Sequence, residues 1–269
     1  MDIALFAAAL LAIGAFAGIL AGLLGVGGGI VLVPSFFYAF RTLGFEGPDL
    51  MRVCVATSLA TIVVTSIRSV QSHRRKGSVD LDVLRTWAPG IVVGALLGTW
   101  LATLLDTHML QLIFAGLAMV VALYLAFGAG GFRLGDEMPR GIVRSAISFV
   151  IGCLSTLMGI GGGSLGVPTM SLYNMPIHRA VGTAAGFGLA IAVPSTLGFL
   201  IARADGAPPY TLGSVNLPAF ALVIAMTLVT TPWGVELAHR LNPTPLKRVF
   251  AAFLFVVALN MGAEALGIL

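Results

Sequence analysis

The chain has 269 residues, of which 58% are hydrophobic and only 10% charged, with a mean hydropathy of +1.02. A soluble domain carries about 25% charged residues, so there is too little charge here to cover a water-facing surface. The net charge of +4 and pI near 9.5 do not indicate nucleic-acid binding, because the basic residues lie in loops between apolar segments, where they orient a chain in a bilayer.

In chain order, the sequence opens on Met1-Asp2-Ile3, which lacks the basic start of a signal peptide, and enters a charge-free run over 3–40. The expectation is that no leader is removed. As one helix this run would be about 57 Å long at 1.5 Å per residue, roughly twice the hydrocarbon core. Gly25 to Gly29 interrupts it and leaves 29–40 too short to span. Ordinary spans follow at 51–70, 84–105 and 109–128. A polar stretch over 129–140, with Arg133, Asp136, Glu137 and Pro139, reads as a linker. A second charge-free run, 145–178, is broken at Gly159 to Gly163, and spans at 179–202, 214–238 and 245–266 close the chain.

The two broken segments are copies. Gly25-Val26-Gly27-Gly28-Gly29-Ile30-Val31-Leu32-Val33-Pro34 recurs as Gly159-Ile160-Gly161-Gly162-Gly163-Ser164-Leu165-Gly166-Val167-Pro168. Leu101-Ala102, Phe114 and Val121-Ala122-Leu123 recur as Leu237-Ala238, Phe250 and Val257-Ala258-Leu259, and Ala56-Thr57-Ser58 more loosely as Gly182-Thr183-Ala184. The chain therefore reads as a repeat, 1–128 and 141–269, joined by 129–140. If each broken segment is a hairpin that returns to its own side, the loop Arg74-Arg75-Lys76 and nine further basic residues are cytoplasmic, leaving Arg41, Arg52 and Arg203 outside. Single crossings would place only nine basic residues inside against six outside, so the positive-inside rule selects hairpins. A hairpin plus three spans inverts the second half relative to the first and puts both termini outside. The fold class expected is an all-α polytopic membrane protein of two inverted-topology repeats. Matched, glycine-interrupted segments in inverted halves are the pattern of secondary transporters, and the interruptions point to the binding site.

A helix that starts inside a membrane presents unpaired N–H groups and the positive end of its dipole. At Gly27-Gly28-Gly29-Ile30 and Gly161-Gly162-Gly163-Ser164 the absent side chains let an anion approach that backbone, with Thr57, Ser58, Ser164 and Thr183 as hydroxyl donors nearby. The alternative is that the glycines only permit close packing and the hydroxyls bond to the preceding helical turn. Gly14, Gly18 and Gly22, like Gly90, Gly94 and Gly98, are spaced four apart and read as helix-packing stripes. Cys54 and Cys153 lie in unrelated segments, and the four histidines sit at segment ends, so neither disulfide, metal nor cofactor is expected. No carboxylate occupies a midspan position, which argues against a cation pathway. Glu236 is placed to pair with Arg240. No catalytic constellation is present, so an enzyme is not expected.

Gly22-Leu23-Leu24-Gly25-Val26-Gly27-Gly28-Gly29 with Pro34, Met158-Gly159-Ile160-Gly161-Gly162-Gly163 with Pro168, His73-Arg74-Arg75-Lys76-Gly77-Ser78-Val79-Asp80, and Tyr210-Thr211-Leu212-Gly213-Ser214-Val215-Asn216-Leu217-Pro218 together resemble the sulfite exporter TauE/SafE family over essentially the whole chain. The resemblance implies a bacterial inner-membrane permease that exports sulfite, sulfonates or related sulfur-containing anions, with a small anion and the lipid bilayer as its partners and no nucleic acid. An anion channel and a non-transporting membrane scaffold are the alternatives.

Overall fold

The computed structural model of the chain describes residues 3–24, 28–127, 133–240 and 243–268. Among them are ten helices: α1 (Ile3–Leu24), α2 (Gly29–Thr42), α3 (Leu50–Arg75), α4 (Leu81–Leu104), α5 (Thr107–Phe127), α6 (Gly141–Leu157), α7 (Gly163–Leu172), α8 (Ile177–Ile201), α9 (Leu217–Arg240) and α10 (Pro243–Ala265). Both broken segments therefore divide at their glycines, into α1 and α2 and into α6 and α7. Five of the six predicted spans, α3, α4, α5, α8 and α9, are long and apolar enough to cross a membrane. In α10 the apolar stretch is Ala251–Ala265.

One predicted boundary is corrected. The span expected from residue 214 starts instead at Leu217, because Thr211–Leu212 (β1) and Val215–Asn216 (β2) pair antiparallel around a turn at Gly213. Gly213 has φ +61, which a side chain rarely adopts. The polar linker was expected over 129–140; its last eight residues, 133–140, are described and form no helix or strand.

The packing follows the repeat. α1 lies on α9 and α6 on α4, α2 on α3 and α7 on α8, α3 on α9 and α8 on α4, while α3 meets α8 and α5 meets α10. Exchanging α1–α5 with α6–α10 maps this set of pairings onto itself. The glycine stripes make the first pair of contacts close. A Cβ on Gly14 would stand 2.9 Å from the Val223 carbonyl of α9, and on Gly18 or Gly22 it would clash with Thr230 or Thr231. On α4, Gly90, Gly94 and Gly98 meet Ser148, Phe149 and Cys153 of α6 in the same way. Without a hydrophobic drive between helices in lipid, such backbone approach is what holds them together.

α3 and α8 form the interior. Ala56, Thr57, Ser58, Thr61 and Ile62 on α3 and Ala184, Phe187, Ile191 and Ser195 on α8 are fully buried. Trp87 of α4 stacks on Phe187 with ring centroids 5.9 Å apart. The two glycine turns lie against this interior pair.

Candidate functional site

Three helices, α4, α5 and α9, are capped by side chains at their starts, whereas α3, α6 and α8 are not. The Asp80 carboxylate accepts from Val83 N–H at 3.1 Å at the start of α4, Asp106 from Met109 N–H at 2.8 Å at α5, and the Asn216 side-chain oxygen from Ala219 N–H at 3.1 Å at α9. α2 and α7 begin in the buried interior, at Gly28-Gly29 and Gly162-Gly163, with no side-chain cap. Their first amides are thus free of the bonds that a cap would supply.

The two starts differ in backbone. Gly28 is left-handed, with φ +78, whereas Gly162 is helical at φ −63 and the left-handed residue of the second turn is Gly159, at φ +65. Gly27, also expected at the site, lies outside the described residues.

The turns touch. A Cβ on Gly29 would lie 2.8 Å from Ile62 Cδ1 and closer still to the Gly159 carbonyl oxygen, and one on Gly159 would lie 2.8 Å from Val33 Cγ2 and 2.9 Å from Val55 Cα. Ser58 Oγ donates to that same Gly159 carbonyl at 2.7 Å. Gly162 in turn is pressed on α8, where a Cβ would stand 2.6 Å from the Ala184 carbonyl. The structure thus brings Gly28, Gly29, Ile30, Ser58 and the second turn into one buried contact around α3. Its consequence for Ser58 is specific: the hydroxyl proton is committed to the opposite turn.

The second turn carries the larger set of unmatched donors. Ile160 N–H donates to the Ser155 carbonyl at 2.9 Å, and Gly166 N–H to the Gly162 carbonyl at 2.7 Å. The five amides between them, Gly161, Gly162, Gly163, Ser164 and Leu165, find no acceptor among the described residues, and the first four of these residues are buried. Ser164 Oγ is buried without a hydrogen-bond partner, and so is Ser155 Oγ, in the last turn of α6. In the first turn Gly28 carbonyl accepts from both Val31 and Leu32 at 3.1 Å, while Gly29 and Ile30 N–H find no acceptor among the described residues. Buried donors left unpaired cost about 1–3 kcal/mol each, so a cluster of them marks a place built for an acceptor. Ser155 was not legible as a site residue. Its only signal is that the corresponding position of the first segment is Ala21.

Thr57 and Thr183 stand apart from the turns and do the same thing as each other. Thr57 Oγ1 accepts the backbone N–H of Asn216, and Thr183 Oγ1 that of Asp80, each at 2.9 Å. Asn216 and Asp80 are the caps of α9 and α4, so each threonine fixes the entry of a span in the other half.

The charged groups sit around this interior. Glu236 pairs with Arg240 at 2.8 Å, as its spacing suggested, and with Lys76 at 2.6 Å. His73 is buried, with Nε2 3.2 Å from the Gly22 carbonyl of α1 and Nδ1 3.3 Å from Ser78 Oγ. Arg41 at the end of α2 pairs with Glu264 of α10, and Tyr38 donates to Asn260 at 2.9 Å. The Arg41–Glu264 pair borders a cavity of about 510 Å³ lined also by Asp106, His108 and Gln111.

With this geometry in view, comparison with known proteins identifies the chain at family level. The family model described as sulfite exporter TauE/SafE matches residues 10–261. A probable membrane transporter protein of Haemophilus influenzae is 32% identical over 253 residues, covering 93% of this chain and 96% of that protein. One from Methanocaldococcus jannaschii is 25% identical over 260 residues, covering 94% of each. A Bacillus subtilis probable membrane transporter, YunE, is 29% identical over 194 residues, covering 65% of this chain and 71% of its own. No solved structure matches the chain. A membrane protein by its helices, and matched over 93% of its length by a probable membrane transporter, the chain belongs to the sulfite exporter TauE/SafE family of membrane transporters.

Proposed function

We propose that the protein is a secondary transporter that exports a small sulfur-containing anion, sulfite or a sulfonate, across the bacterial inner membrane. The observation that carries this reading is the run of five amides from Gly161 to Leu165 without acceptors among the described residues, closed by the unpartnered Ser164 hydroxyl. Sulfur oxyanions offer several acceptor oxygens and a negative charge. Both suit a helix start, where N–H groups and the dipole act together. The amides of Gly29 and Ile30 supply the first half's contribution from the facing turn. Neither lysine nor arginine lies in either turn, so binding rests on backbone donors, which hold an anion without a fixed charge that would resist its release.

In this conformation Gly29 lies against the Gly159 carbonyl. Admission of substrate between the turns therefore requires them to part. The exchange of α1–α5 with α6–α10 supports inverted halves that rock about the α3–α8 interior, with both termini outside, to open one side and then the other.

Counterflow in proteoliposomes tests the reading. Labelled sulfite should exchange against internal sulfite in vesicles holding the native protein. Gly162→Val, folded by its melting curve, should lose that exchange. Sulfite conductance without accelerated exchange identifies a channel, and neither flux nor binding identifies a scaffold.

A further inference from the structure

A cleft of about 440 Å³ lies between α5, α6 and α7, lined by Val120, Tyr124, Ile147, Val150, Leu165 and Leu172 among others, with Ser164 also on its wall. Val120 and Val150 are 61% and 49% exposed, while Ser164 is 4% exposed. The cleft therefore runs from the outer, apolar face of the helices to the second residue of α7. That end holds the unpartnered buried hydroxyl of Ser164, and Ser164 and Leu165, two of the five residues whose amides lack acceptors among the described residues, line the cleft. An apolar cleft of a few hundred Å³ ending on a few polar donors has the form of a ligand site. Helix packing alone has no use for those donors.

The same place in the other half of the repeat carries different side chains, although Phe16 and Val256, the counterparts of Val150 and Val120, are equally exposed. By the repeat, Tyr124 and Leu172 correspond to Asn260 and Tyr38. There the two side chains hydrogen-bond to each other, and Arg41 pairs with Glu264 one turn further on. The first half thus sets a hydrogen-bonded pair where the second half has Tyr124 and Leu172 on the cleft wall.

We propose that this cleft binds the apolar tail of a single-chain anionic amphiphile whose head, a sulfonate or a similar oxyanion, is held by Ser164 Oγ and the α7 amides. This rests on the anion reading of the second turn and extends it from small anions to anions with a long aliphatic tail. Tail burial in the cleft removes methylenes from water, which is worth about 0.8 kcal/mol each, or roughly a fourfold gain in affinity per carbon. A tail longer than the cleft gains no more.

The test is binding of methanesulfonate, butanesulfonate and octanesulfonate to the protein in nanodiscs, with partition into empty nanodiscs subtracted. Affinity should climb along the series in the native protein. In Val150→Trp and in Val120→Trp, which fill the cleft from opposite walls, the octyl advantage should fall at least about tenfold with methanesulfonate binding unchanged. A flat series in the native protein, or a climb that survives both substitutions, overturns the proposal. So that a misfolded variant leaves no gap, a tail-diazirine alkanesulfonate is crosslinked to the native protein, where it should label peptides within 146–154 and 164–172 and be displaced by octanesulfonate. Labelling elsewhere, or equal labelling by a tail-diazirine phosphatidylcholine that octanesulfonate does not displace, means that bilayer lipid fills the cleft and the proposal is wrong. The two readings separate cleanly. Small anions that bind while octanesulfonate binds no better sink the cleft and spare the anion site. Octanesulfonate that binds through Val150 while sulfite and methanesulfonate do not sinks the small-anion reading and spares the cleft.

Discussion

Ser58 on α3 donates its hydroxyl proton to the backbone carbonyl of Gly159, 101 residues away, at 2.7 Å in a fully buried setting. This single bond ties the interior helix of one half to the glycine turn of the other. It also holds the Gly159 carbonyl, against which Gly29 packs, in one orientation. Removal of the donor strands a buried acceptor, at a cost of about 1–3 kcal/mol. Ser58→Ala should therefore lower the melting temperature and weaken sulfite exchange together, whereas a purely ligand-contacting serine would weaken exchange at unchanged stability.

Gly29 and Gly116 make a matched pair for testing the contact between the turns. A methyl group on Gly29 collides with the Gly159 carbonyl, and one on Gly116, which is helical and exposed, meets nothing within 4 Å. Gly29→Ala should cost about 1–3 kcal/mol through overpacking and stop exchange. Gly116→Ala should gain about 0.5–1 kcal/mol by helix propensity and leave exchange intact. Melting curves and counterflow on both variants check this, and equal behaviour of the two would show that the turns do not depend on touching.

Thr57 and Thr183 fix the caps of α9 and α4 through equivalent bonds. Thr57→Val and Thr183→Val keep the shape and delete the acceptor, so each strands one cap amide and should destabilise by about 1–3 kcal/mol. The two losses should be alike in size. If either variant keeps native stability and loses only anion binding, that threonine contacts the substrate instead.

Membrane orientation follows from the placement of basic residues. The loop Arg74-Arg75-Lys76 is expected in the cytoplasm and the C-terminus outside. Alkaline phosphatase fused at residue 77 should be inactive and fused at the C-terminus active, and the opposite pattern refutes the inverted hairpin arrangement.

For the driving force, we expect the membrane potential alone to suffice, because no midspan carboxylate stands ready to carry a proton. One charge gains about 2.3 kcal/mol per 100 mV, so a divalent anion such as sulfite gains about 4.6, more than a thousandfold gradient at about 1.4 kcal/mol per tenfold step. Vesicles given a valinomycin potential without a pH difference should accumulate sulfite on the positive side. Flux that follows only an imposed pH difference would instead show proton coupling.

Much of this molecule was determined by the sequence itself. The membrane class, both breaks at the glycines, five of the six spans to within a few residues and the packing faces of Gly14, Gly18 and Gly22 and of Gly90, Gly94 and Gly98 are local properties. Hydropathy sets whether a segment leaves water, a run of glycines ends a helix wherever it occurs, and a four-residue stripe fixes which face lets another backbone approach. The tertiary structure decided the rest. Ser58 faces Gly159 instead of open space, Thr57 and Thr183 serve as acceptors for caps in the other half, Ser155 joins Ser164 as an unpartnered hydroxyl, and Arg41 finds Glu264. The start of α9 moved to Leu217 for the same reason, since its hairpin is held where Asn216 meets Thr57. A hydroxyl or an amide has the same sequence whether its proton is used or free. Which it is depends on what lies within about 3 Å, and that is set by which distant helix the packing brings beside it.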